Sequence, residues 1–346
     1  MMNIRLNVSL LREKVPNLTV AAKQIGIRSA TVSNLCTGKI PLAKAEVQTL
    51  VRLSMLAGCS IDELIIYNNK LSVIETGIKV IDCLAPLRKG SVTGLVARKD
   101  MGQLVLIAEL FYRLKRKGFK TMLIHPNQII PGVAEVKKES EFIASSKENA
   151  ILLIKEQLNN EDVLIVMDRA HVIQGDLRYL QQQDLDKLKS ITILLVDLKG
   201  EAVDEELPFG PLDTLWGFDS KLVAQKKYPA LDPLSSYSDD GFEASNTLRF
   251  QKDMKRYLRR YQELRTLYSQ KGYDKLPEEE TFYFQVGERL EAYFTQPFFI
   301  SEPYTKRKGE SVSYKKLMHD LQEILAGKWN HEPISYFMYK GSLDKR

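Results

Sequence analysis

The sequence predicts a multidomain protein with an all-α head, an α/β core on a parallel sheet, and an all-α C-terminal part. Three observations predict this. Residues 6–66 carry apolar side chains at helical spacing, in short runs broken by glycine and capping residues. Residues 75–232 alternate short apolar runs with helical stretches, as strands covered on both faces do. Beyond residue 240 the apolar period is helical. The expected divisions are 1–67, 71–235 and 240–346, with the polar turn Asn68-Asn69-Lys70 at the first boundary.

Composition narrows the classes. A chain of 346 residues that is 44% hydrophobic is long enough for two or three cores. Cys36, Cys59 and Cys83 lie far apart with no C-x-x-C spacing, which speaks against a disulfide framework or a zinc site and suits a cytoplasmic protein. No apolar run reaches membrane length and the start has no leader pattern, so no membrane association is expected. Residues 1–70 hold nine Lys/Arg against four acidic side chains, so +5 of the net +6 lies there. That asymmetry points the head at a polyanion.

In the head, the informative stretch is Leu18–Lys39. Thr19 can cap a helix whose inner face is Ala22 and Ile25. Gly26 ends it, and Ile27 turns into the core. Ser29 can cap a second helix with Val32 and Leu35 inward, ended by Gly38. The spacing fits a helix-turn-helix and resembles the phage-repressor type, including the following helix Ala43–Ala57. The alternative is a plain helical hairpin. As a helix-turn-helix, the second helix would enter the major groove of double-stranded DNA through Arg28, Ser29, Ala30, Thr31, Ser33 and Asn34. Arg28 suits guanine or phosphate, Asn34 suits adenine, and Ala30 suits a thymine methyl. Thr37 and Lys39 lie where phosphates are expected.

In the core, Val92–Val96, Thr121–His125, Val163–Asp168 and Ile191–Asp197 read as strands, with helices near 103–116, 146–158 and 176–188. The first strand runs into Ala97-Arg98-Lys99-Asp100-Met101-Gly102-Gln103-Leu104 and then a helix, the setting of a phosphate-binding loop. Of the G-x-x-x-x-G-K-[ST] pattern only Gly102 is present. Gln103 stands at the Lys position and Leu104 at the hydroxyl position.

Three further segments are Glu75–Pro86 (ETGIKVIDCLAP), Tyr228–Ser236 (YPALDPLSS) and Gln296–Glu302 (QPFFISE). In order and spacing they resemble signature segments of the catalytic beta subunit of rotary ATP synthases. The resemblance covers about residues 71–340 and implies a RecA-like core. It departs at the front, where that family has a β-barrel domain and this chain has the helical module. The resemblance also implies where catalysis would sit. Asp168 keeps the magnesium-side carboxylate, whereas Asn127 falls about where the water-activating glutamate would be, and an amide takes no proton from water. With the loop Lys, the hydroxyl and the base missing, no ATPase activity and no cofactor are expected. Tyr228 and Tyr304 match positions that flank the adenine. The resemblance leaves open ATP or ADP stacked there with Arg98 or Lys99 on a phosphate, but the expectation is that both rings fill the core. Asp274–Glu280 (DKLPEEE) resembles the family's rotor-touching tip.

The helical end carries a basic face on 248–268: Lys252, Lys255, Arg256, Arg259, Arg260 and Arg265. The resulting expectation is a sequence-specific DNA-binding regulator with a pseudo-ATPase body that serves oligomerisation, since a lone helix-turn-helix reads few bases. A nucleotide-sensing regulator and a non-catalytic assembly partner of an ATP synthase-like ring are the alternatives.

Overall fold

The computed structural model describes residues 3–343 except 16, 38, 69–71, 127–129, 184, 186, 204, 206–207, 211, 239–244 and 270. The head begins with strand β1 (Asn3–Leu6) and closes with β2 (Ile65–Asn68), which pair antiparallel. Between them lie helices Val8–Lys14, Leu18–Gln24, Ser29–Cys36, Val47–Ala57 and Ile61–Leu64. The expected all-α head is therefore corrected by a two-stranded ribbon. Each of its strands is only four residues long, and each abuts a helix with no glycine or proline between, so no local signal separates strand from helix. Leu11, Ala22, Val32, Leu53 and Leu64 are fully buried in a core cluster confined to this module.

The main sheet has seven strands in the order β5-β4-β6-β7-β3-β8-β9. They are β3 (Val92–Val96), β4 (Phe119–Ile124), β5 (Phe142–Ala144), β6 (Asp162–Asp168), β7 (Ser190–Val196), β8 (Thr214–Gly217) and β9 (Tyr237–Ser238). All pairings are parallel except β8 with β9 at one edge. The period of two sends alternate residues to opposite faces. Leu164, Val166, Leu194 and Val196 belong to one apolar cluster; Val163, Ile165, Met167, Ile193 and Leu195 belong to another. Sequence reading found the four long inner strands but not the short β5, β8 and β9. A run of two to four residues gives too little alternation to see.

The helices beyond residue 245 share the first cluster with the sheet. Met254, Leu258, Leu290 and Leu317 pack into the same core as Leu106, Phe111 and Leu194. A set of buried polar groups fastens them. Lys79 is fully buried; its Nζ donates to the carbonyls of Thr295 (3.0 Å) and Lys340 (2.8 Å) and lies over the Tyr293 ring. Burial holds its pKa well below the ordinary lysine value. Gln296 Nε2 donates to Gly77 O and Glu310 O, while its Oε1 accepts from Lys79 N. Arg113 pairs with buried Glu109 at 2.7 Å and donates to Gly77 O and Glu310 O. Glu109 also accepts from the backbone N–H groups of Phe299 and Ile300.

Asp82 belongs to this region. Its oxygens accept from Thr76 N (2.8 Å), Thr76 Oγ1 (2.6 Å) and Gly77 N (2.7 Å). Burial nevertheless pushes its carboxyl up to about 6 from an ordinary 3.8. A folded value above the unfolded one means that the folded state holds the extra proton. The contribution to stability is full below about pH 4 and is lost as pH rises through about 6. In urea unfolding, the stability of wild type relative to Asp82→Asn is expected to be greater at pH 5 than at pH 7.5 by about 1 kcal/mol. An equal or reversed difference would contradict this account.

Candidate functional site

The loop after β3 lies at the carboxyl end of the sheet, beside the point where strand order reverses, which is where open α/β sheets hold ligands. It closes on itself. Gly102, with φ 96°, is the N-cap of helix Gln103–Lys115. Gln103 is buried, and its side chain folds back under the loop. Oε1 accepts from Met101 N (3.1 Å), and Nε2 donates to Arg98 O (3.2 Å). Arg98 N lies 3.2 Å from Met101 Sδ. A lysine in place of Gln103 could not accept the Met101 N–H. From above, the turn after β7 covers the loop. A Cβ on Gly200 would lie 2.8 Å from Lys99 N and 3.0 Å from Arg98 Cα. Asp197 curls that turn by accepting from Gly200 N (3.1 Å) and Ala202 N (2.6 Å).

Asp168 is also spoken for. Its Oδ1 accepts from Leu198 N (3.1 Å), and Oδ2 lies 3.4 Å from Ala170 N at the start of helix Arg169–Ile173. It joins β6 to the β7 turn and caps a helix. Leu104 is half-buried, and its Cδ1 lies 2.9 Å from where a Cβ on Gly132 would be. Asn127 lies outside the described residues.

The two tyrosines depart from the expectation that both fill the core. Tyr228 is 37% exposed, with its ring 3.7 Å from the position of a Cβ on Gly102. Its backbone N donates to Tyr339 Oη and its carbonyl accepts from Gln296 N. Tyr304 is 78% exposed on the short helix Glu302–Thr305. That helix is a single turn, EPYT, followed by Lys306-Arg307-Lys308, and the side chain points outward.

Sequence reasoning missed a polar cluster at the carboxyl ends of β4 and β6. His171 is buried, with Nδ1 2.7 Å from Asp176 Oδ2 and Nε2 3.1 Å from His125 O. Lys147 Nζ donates to Asp176 Oδ1 (2.8 Å), and Lys137 Nζ lies 2.6 Å from His125 Nε2. Burial raises the Asp176 carboxyl, but the hydrogen bonds and charges of Lys147 and His171 outweigh it and hold it below the ordinary value. These residues come from separate segments, so no local motif announces them. Among the described residues, no group of His, Cys, Asp or Glu is placed to hold a metal ion.

In the head, the turn between Leu18–Gln24 and Ser29–Cys36 is set by Gly26 at φ 77° and by Arg52, which donates to Ile25 O. The helix starts differ from expectation by one or two residues. Asn17, not Thr19, is the N-cap of the first, and Arg28, not Ser29, is the N-cap of the second. Ser29 Oγ instead donates to Thr19 O (3.3 Å), tying the two helices together. Val32 and Leu35 are buried. Arg28, Ser29, Ala30 and Lys39 are exposed, and Thr31, Ser33, Asn34 and Thr37 are half-buried. The Thr37 hydroxyl is committed to Ser33 O at 2.8 Å. Beside this helix lies a cleft of about 290 Å³ lined by Arg12, Asn17, Thr19, Ser33 and Thr37 among others. Arg12 and Asn17 were not expected there; Arg12 lies on helix Val8–Lys14 and Asn17 caps Leu18–Gln24, and only folding brings them beside Ser33 and Thr37.

The fold of the body is that of an ATP synthase subunit, a mainly parallel α/β sheet with packed helices. One such solved structure is an ATP synthase subunit, NeqB, from Nanoarcheaum equitans. It matches with a TM-score of 0.56 at 18% identity, over 78% of this chain and 80% of that one. No protein-family profile matches the sequence.

The closed loop makes a stability prediction. Gln103→Ala leaves Met101 N–H and Arg98 C=O without partners and is expected to cost about 1–3 kcal/mol in urea unfolding. A change within error would mean that the amide does not hold the loop.

Proposed function

We propose that the protein is a sequence-specific DNA-binding regulator whose ATP synthase-like body does not hydrolyse ATP. The observation that carries the reading is the two-sided character of helix Ser29–Cys36. Val32 and Leu35 anchor it in the head, while Arg28, Ser29, Ala30 and Asn34 leave a small polar face outward, at the positively charged end of the chain. That face has the size and chemistry to lie in a major groove. The head is then a helix-turn-helix, and residues 1–67, 71–235 and 240–346 act as reader, pseudo-ATPase core and helical end. The body serves self-association, so that two heads meet two half-sites on double-stranded DNA.

The absence of turnover is supported by the loop. Gln103 stands at the lysine position and Leu104 at the hydroxyl position, and the Gly200 turn covers the backbone where a triphosphate would lie. Asp168 spends both oxygens on backbone N–H groups.

Two tests follow. Asn34→Ala is expected to weaken a selected site by about 1–3 kcal/mol and to relax base choice at one position. Lys39→Ala is expected to weaken selected and random duplexes equally. Equal effects of both variants on both duplexes would remove the helix from the groove.

The exposure of Tyr304 and the half-exposure of Tyr228 favour one second reading, a regulator that senses adenine nucleotide on these rings. ADP at millimolar concentration is expected to leave the melting temperature of the full chain unchanged; a rise that saturates with ADP would establish the second reading. A third role, assembly with an ATP synthase-like ring, draws on the likeness of fold and would show as ring capture without DNA retention.

A further inference from the structure

Helix Ser245–Tyr268 buries Met254, Leu258, Tyr261 and Leu264 in the body's core. Its opposite side is different. Arg249, Lys252, Arg256 and Arg259 are all exposed, at steps of three, four and three residues, which keeps them on one face of an α-helix. Over ten residues the row is about 15 Å long. Other cations of the helix are engaged with the body. Arg260 is paired with Glu280 and Glu263, Arg265 with Glu291, and Lys255 donates to Ser236 O. Among the described residues, the side chains of Arg249, Lys252 and Arg259 make no ion pair or hydrogen bond. Arg256 reaches Asp253 at 3.5 Å between two exposed side chains, a contact of little worth in water, and lies 5.6 Å from the centre of the Tyr257 ring.

We propose that this row is a second nucleic-acid contact, which grips the phosphate backbone of the duplex that the head reads. The inference rests on the DNA-binding reading above and adds a surface to it. Charge complementarity selects the partner. Duplex DNA carries one charge per about 1.7 Å of axis, so a 15 Å row of four cations meets a dense line of phosphates. An anionic membrane is the weaker match. Helices that bind a bilayer surface bury an apolar face in it, and here that face is already taken by the protein core. The row contributes affinity and no base choice, because long flexible cations on phosphates carry no sequence information.

The test uses the full chain. Wild type, a row variant (Arg249→Gln, Lys252→Gln, Arg256→Gln, Arg259→Gln) and a head variant (Arg28→Gln, Asn34→Ala, Lys39→Gln) are titrated onto a long random-sequence duplex at several salt concentrations. The same proteins are tested for sequence preference by selection. The replaced row side chains are exposed, so the melting temperature is expected to stay at the wild-type value. The row variant is expected to lose roughly 3 to 4 from the slope of log K against log salt, with sequence preference kept. The head variant is expected to lose sequence preference.

An unchanged slope in the row variant, with preference lost in the head variant, overturns the row and leaves the head reading standing. A reduced slope in the row variant, with no effect of the head variant on preference, overturns the head reading and leaves the row. Wild type that binds no duplex overturns both. Retention on equimolar phosphatidylserine–phosphatidylcholine vesicles without DNA retention overturns both in favour of a membrane.

Discussion

The body depends on one buried polar connection, the group of donors and acceptors around Lys79, Gln296 and the Glu109–Arg113 pair. A lysine with no exposure is costly unless every proton finds an acceptor. Here carbonyls of Thr295 and Lys340 supply that need, and Tyr293 covers the rest. Gln296 and Arg113 repeat the arrangement around Gly77 and Glu310. Segments more than two hundred residues apart are thereby held at hydrogen-bond distance. The helices after residue 245 cannot separate from the sheet without stranding these groups.

This connection explains which parts of the sequence were legible. The ETGIKVIDCLAP segment supplies Thr76, Gly77, Lys79 and Asp82, and QPFFISE supplies Gln296, Phe299 and Ile300. The Asp232 side chain in YPALDPLSS accepts from Leu234 N and Ser235 N and so sets its own turn. The segments that resemble a nucleotide-hydrolysing family thus serve its frame. The long strands and helices were readable because their apolar periods run for five residues or more. The ribbon β1–β2, the edge strands and the His171–Asp176–Lys147 cluster were not, because each is made of short pieces joined only by folding. The second helix of the head could be located from spacing to within a residue, with Val32 and Leu35 inward. The cleft beside that helix, with Arg12 and Asn17, draws on residues outside it and needed the folded head.

At this site the frame of the loop and the groups that line it can be read separately. Gly102 still starts a helix at the carboxyl end of the sheet. The polar groups there satisfy the protein's own backbone: the Gln103 amide below, the Asp197-curled turn above, and Asp168 between β6 and β7. Each of these contacts is local, and none involves the connection around Lys79.

A phosphate-binding loop in a working enzyme presents N–H groups that only its ligand or water can satisfy, so its order follows the ligand's comings and goings. The loop under Gln103 supplies its own partner and is roofed by Gly200. Its shape is therefore set once, when the chain folds. Whatever packs against it meets a surface whose shape is settled before contact.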